Sequence, residues 1–187
     1  MGEIKVGKPT KGMPSEFENP LQEAIYRKLE AFGIDYLRVE NEPAVTMEDC
    51  KAIDRAFGEK TIKTVFLTNR QRTKFYLLSM PGDKPFVTRL FGAAMMIPRV
   101  SFADEETLKT MLGTPHGAAT PLSVIHDREG KIEMAIDVEL LDSEKIVIPD
   151  GTLHGYICLQ LTELIDKYLE GTGHKPHLIR MEENNRE

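Results

Sequence analysis

The chain has 187 residues, 41% of them hydrophobic and 29% charged, and a formal net charge of −6. This is the balance of a soluble globular protein with one domain and a sizeable core; a small second lobe could fit, but not two full domains. The acidic excess excludes bulk attraction to polyanions and hence a large DNA-type footprint, while a local basic patch for one RNA end stays open. Met1-Gly2-Glu3-Ile4-Lys5 lacks a basic segment followed by an apolar core, and no apolar run approaches the roughly 18 residues that span a membrane. Cys50 and Cys158 have no CxxC spacing and read as reduced thiols, so a cytoplasmic location is expected.

Residues 1–18, rich in Gly, Lys, Pro and Glu, are expected as a flexible leader. Leu21, Ala24, Ile25, Leu29 and Phe32 recur at helical spacing, with Pro20 in the first turn and Gly33 as the stop. A strand follows over 34–39, then a helix from about Thr46 to Phe57 that stops at Gly58. The β-rich runs 62–68 and 74–80, joined by polar Asn69-Arg70-Gln71-Arg72, predict a hairpin. Residues 84–92 suit a strand or short helix, 100–102 a brief strand, and 104–112 a helix stopped by Gly113.

Beyond the loop that ends at Pro121, strands are expected at 122–126, 131–137 and 145–149, then a helix over 162–170. Residues 181–187 are expected as a disordered tail, leaving one domain over 19–180. The fold class is α+β (mixed α/β), because strict βαβ alternation is absent.

Two features could carry chemistry. Lys63 sits inside an apolar strand pattern, either facing solvent or held as a cation at a pocket floor for phosphate or carboxylate. The run from Gly113 to Pro121 holds two glycines, two prolines and small residues between regular elements. Such a loop is a plain connector, or else it brings backbone N–H groups close to an oxyanion, hydroxyl or water. It is neither a Walker loop nor GxGxxG, and no G-x-S-x-G or HExxH occurs. His154 and Cys158 stand four apart as helical metal ligands could, without a third partner, so no metal and no other cofactor is expected. Asp127 and Asp137 read as solvated carboxylates at turns and strand ends.

In order and spacing, these features resemble the YbaK/ProX superfamily of aminoacyl-tRNA editing deacylases, over residues 20 to about 178. Glu42 to Asp49 is similar to the family's proline-bearing stretch, Thr61-Ile62-Lys63-Thr64-Val65-Phe66-Leu67 to its lysine strand, and Leu112 to Pro121 to its LG-x-x-PG-x-x-TP signature. The Gly171-Thr172-Gly173-His174-Lys175-Pro176 run resembles the close of the prolyl-tRNA editing branch. The resemblance implies a mixed, largely antiparallel sheet or partial barrel flanked by helices. It also implies hydrolysis of a wrong amino acid, alanine first, from the acceptor end of tRNA(Pro), in partnership with prolyl-tRNA synthetase.

Lys63 and Gly117 take the catalytic positions in that likeness, and Gly113, His116, Ala118, Thr120, Pro121 and His154 the substrate-binding ones. Lys60, Arg70, Arg72 and Lys74 could supply a patch for the acceptor stem. Three departures stand out: Thr64 for the usual asparagine, His116 for a proline, and Pro149-Asp150-Gly151-Thr152-Leu153-His154 where a His-Pro followed by Asn is usual. The alternatives are a different misacylated substrate, such as Cys-tRNA or Ser-tRNA, or a non-catalytic module that binds tRNA ends or a synthetase.

Overall fold

The computed structural model of the protein describes residues 2–183. Two sheets organise it. β1 (Tyr36–Glu40), β6 (Lys145–Pro149) and β7 (Gly155–Gln160) form a three-stranded antiparallel sheet in the order β1-β7-β6. The second has the order β4-β2-β3-β5-β8, from β2 (Ile62–Asn69), β3 (Phe75–Pro81), β4 (Val100–Phe102), β5 (Ile132–Asp137) and β8 (His177–Ile179). Its β2–β3 and β2–β4 pairs are antiparallel, its β3–β5 and β5–β8 pairs parallel. A single bridge, Thr61 to Val147, ties the start of β2 to β6.

Local chemistry sets most element ends. Asn19 caps α1 (Pro20–Ala31) by accepting from the Gln22 N–H at 2.8 Å, with Pro20 in the first turn where no N–H is needed. Leu21, Ile25, Tyr26 and Leu29 form the buried stripe of α1. It enters the main core with the inner faces of both sheets and with α5 (Leu161–Glu163), whose helix continues in π-helical turns over Leu164–Leu169. α3 (Thr88–Met95) covers the other face of the larger sheet. α2 (Cys50–Phe57) covers the outer face of the smaller one. Among the described residues, no helix is long and apolar enough to cross a membrane.

Several expectations change. Residues 122–126 are not a strand: Pro121–His126 is a 3-10 helix whose first N–H groups are met by Thr120. Residues 5–10, expected as part of a loose leader, run along the open edge of β1. There Gly7 N–H donates to Glu40 O at 2.7 Å, and Thr10 and Arg38 exchange backbone bonds at 2.8 and 2.9 Å. β7 and β8 were not anticipated. Asp127 and Asp137 are buried, at 9% and 0% exposure, rather than solvated. Of the tail expected to be disordered, Met181 is buried in the α3-side cluster, and residues 184–187 lie outside the described residues.

Candidate active site

The cavity that matters lies where the two sheets approach each other, beside the Thr61–Val147 bridge, and encloses about 310 Å³. One wall is the start of β2, from Thr61 to Phe66, with Lys63 and Thr64 both on the lining. Facing residues come from the segment before α2 (Val45, Thr46, Met47), from α2 itself (Cys50), and from the site loop (His116, Gly117, Ala119). Pro149 and Tyr156 close the side formed by the smaller sheet. A larger hollow of about 840 Å³ lies between α1, the 3-10 helix and Gly171-Thr172, but it takes in none of the residues given catalytic or substrate-binding positions from sequence.

Each wall is held in place by local bonding. Asp49 accepts from the Val45 N–H at 3.0 Å and from the Thr46 N–H and hydroxyl at 2.9 Å, while its own N–H donates to Thr46 Oγ1 at 3.2 Å. This reciprocal arrangement is a capping box with Thr46 as the cap, one turn ahead of the regular α-helix that begins at Cys50. The backbone N–H bonds from Thr46 and Val45 hold the Asp49 carboxyl below the ordinary value. Lys63 Nζ donates to the main-chain oxygen of Lys84 at 2.7 Å. Thr64 Oγ1 is buried with no partner among the described residues.

The loop itself makes a tight turn in which the Ala118 N–H donates to Pro115 O at 3.2 Å, with Gly117 at φ 90°. A positive φ at the third position is what a type II turn requires, and glycine takes it without strain. Among the described residues neither the His116 nor the Gly117 N–H makes a hydrogen bond. Unpaired backbone donors at a cavity wall are suited to a carbonyl or oxyanion.

Cys50 Sγ lies 3.5 Å from the Tyr156 hydroxyl on the same lining. Burial pushes the Cys50 thiol pKa up, and burial with the neighbouring thiol does the same for Tyr156. Both therefore stay protonated near neutrality, and Cys50 is not poised as a thiolate nucleophile.

The remaining residues singled out from sequence lie off the lining. Gly113 ends the π-helical turns Leu108–Leu112 that continue α4 (Glu105–Thr107). Ala118 and Thr120 are fully buried, and Thr120 and Pro121 start the 3-10 helix. His154 is exposed on the turn before β7, where Nδ1 meets Glu18 at 3.0 and 3.1 Å. Pro149 is preceded by Ile148, which is fully buried, so no imidazole stands at either place on the lining.

His154 and Cys158 are on a turn and a strand, about 13 Å apart along extended chain, too far to share an ion. Among the described residues no His, Cys, Asp and Glu cluster could hold a metal. Lys60 and the Arg70, Arg72, Lys74 group stand at opposite ends of β2, about 25 Å of strand apart, and do not form one patch. Tyr156 was invisible from sequence because β7 was, and Cys50 because its role depends on that strand. Thr64 was marked only as a departure.

Residues 41–167, well over half the chain, match the aminoacyl-tRNA editing domain family. The chain is 23% identical over 152 residues to the prolyl-tRNA editing protein ProX of Acetoanaerobium sticklandii, covering 81% of this chain and 92% of that one. It is 22% identical over 166 residues to the prolyl-tRNA synthetase associated domain-containing protein 1 of Xenopus laevis, covering 87% and 98%. A solved structure described as a candidate trans-editing enzyme for prolyl tRNA synthetase superposes with a TM-score of 0.63 at 18% identity, covering 88% of this chain and 99% of the other. That likeness establishes a shared mixed α+β fold with unclosed sheets. With the family model matching residues 41–167, the chain belongs to the aminoacyl-tRNA editing domain family.

Proposed function

We propose that the protein is a trans-editing deacylase that hydrolyses the ester joining a wrong amino acid to the 3′ end of tRNA, with alanine on tRNA(Pro) as the substrate. The observation that supports this is the meeting of Lys63 with the unpaired N–H groups of His116 and Gly117 on one cavity of about 310 Å³. That volume is at the small end for ligand sites and suits a terminal nucleoside with a small aminoacyl group. Lys63 binds the terminal phosphate or ribose. The His116 and Gly117 N–H groups take the ester carbonyl as it becomes an oxyanion. A water held in the cavity adds to that carbon, the ribose oxygen leaves with a proton, and the free amino acid departs. No side-chain nucleophile is needed, because the ester is already activated and placement supplies much of the rate.

The physical reason for such an enzyme is that a synthetase pocket built for a larger side chain rejects a smaller one by only about 1–3 kcal/mol. The altered Pro149 to His154 segment favours a second reading, in which the same chemistry acts on a different small amino acid, such as cysteine or serine. The test is a panel of misacylated tRNAs given to the purified protein and to Lys63→Ala. Alanine release from tRNA(Pro) is expected, falling on the order of a hundredfold in the variant. Release from Cys- or Ser-tRNA alone would select the second reading, and no release from any ester would sink both.

A further inference from the structure

The main-chain oxygen that holds Lys63 belongs to the loop between β3 and α3, residues 82–87, and that loop is fastened at two further points. Lys84 Nζ lies 2.7 Å from Asp137 Oδ2 and 2.7 Å from Glu139 Oε1. Gly82 sits so close to Thr61 O and the Met47 side chain that a Cβ would overlap the carbonyl. The Lys84–Asp137 pair is not surface decoration, since the two side chains are 17% and 0% exposed. Burial opposes the Lys84 charge, but the two carboxylates outweigh it and hold its pKa above the ordinary lysine value. A carboxylate with no exposed surface is costly to bury unless it is paired in this way. Asp137 is itself fixed, accepting the Glu139 N–H at 3.0 Å through its other oxygen.

We propose that Lys84, Asp137 and Glu139 are positioning residues for editing: through the Lys84 main-chain oxygen they hold the Lys63 ammonium at the cavity wall. This rests on the reading of Lys63 as the cation that binds substrate. An ammonium has three donors, and the Lys84 carbonyl engages one, which orients the other two. A lysine stem is otherwise rich in rotamers, and a free one would have to be ordered on each binding event.

The test is a double-mutant cycle read by single-turnover deacylation of alanyl-tRNA(Pro) at high enzyme concentration. Lys84→Met is expected to slow the reaction on the order of tenfold, Lys84→Arg to restore most of it, and Lys84→Met to add nothing in a Lys63→Ala background. Because Lys84→Met strands a buried carboxylate, Lys84→Met with Asp137→Asn removes both charges, and the same slowing is expected at a thermal midpoint close to the parent's. The nitrogen-15 signal of the Lys63 side chain supplies a readout independent of activity, and it should shift in both Met-bearing variants. A Lys84→Met effect that persists undiminished beside Lys63→Ala, with that signal unmoved, overturns the positioning role. Lys63→Ala at full speed overturns the reading of Lys63 and the inference with it. An inactive Lys63→Ala beside fully active Lys84→Met overturns the positioning role alone.

Discussion

Gly117 shows how one residue can tie the loop to the rest of the cavity. A Cβ there would stand 3.3 Å from both Leu153 Cδ2 and Val45 Cγ1, on a backbone at φ 90°. Gly117→Ala is therefore expected to lose about 1–2 kcal/mol from its backbone conformation and to slow editing by shifting the His116 and Gly117 donors. Chemical denaturation midpoints and single-turnover rates check the two parts separately.

His154 gives the opposite case. Its pairing with Glu18 is between side chains 47% and 46% exposed, so His154→Ala should cost at most about 1 kcal/mol and leave the editing rate unchanged. A rate loss of tenfold or more would return His154 to the site. At this scale Lys63 and Gly117, which line one cavity, stood out in sequence because an internal lysine and a Gly-Pro loop are unusual in one dimension. The lining by Cys50, Tyr156 and the unpartnered Thr64 hydroxyl was not, because it arises only where separate segments meet.

Among the elements, misreadings have particular causes. Leu122-Ser123-Val124-Ile125-His126 has strand-like composition, but a threonine followed by proline is also a helix start, and that local cap prevailed. β7 is buried along nearly all its length, in the centre of its sheet, so it lacks the alternation by which half-buried strands are recognised. The turn after the 3-10 helix carries a pair that spacing could not show, Asp127 with His174, joined at 2.9 Å with side chains 4% and 3% exposed. Burial alone would raise the Asp127 pKa, but the His174 contact and the Ile132 and Lys131 N–H groups outweigh it and hold the carboxyl low. A carboxyl lowered in the folded state contributes stability that is complete above its unfolded value of about 4 and lost as pH falls through the folded value. Asp127→Asn should then be clearly less stable than the parent near neutrality, the gap closing below about pH 4. Unfolding midpoints across that range read this directly, and a gap independent of pH would count against the Asp127 carboxylate as its source.

For the whole molecule, the mixed class and the flanking helices were legible from the order of periodic segments, and so was the family likeness. The division into two sheets was not, because it depends on long-range register: β1 reaches across the sequence to β7, and β3 passes over its neighbours in sequence to pair with β5. That parallel β3–β5 pairing has a kinetic consequence. The excursion from residue 82 to residue 131 carries Lys84, α3, β4, α4 and the Gly117 turn, so the turn comes to share a cavity with Lys63 only when the loop is closed by β5 docking. Non-local pairings of this kind form slowly, because chain entropy is lost before the contacts return it. On dilution from denaturant, helical signal should return early, and deacylase activity should return only with the slowest step, together with protection of the β3 and β5 amides from hydrogen exchange.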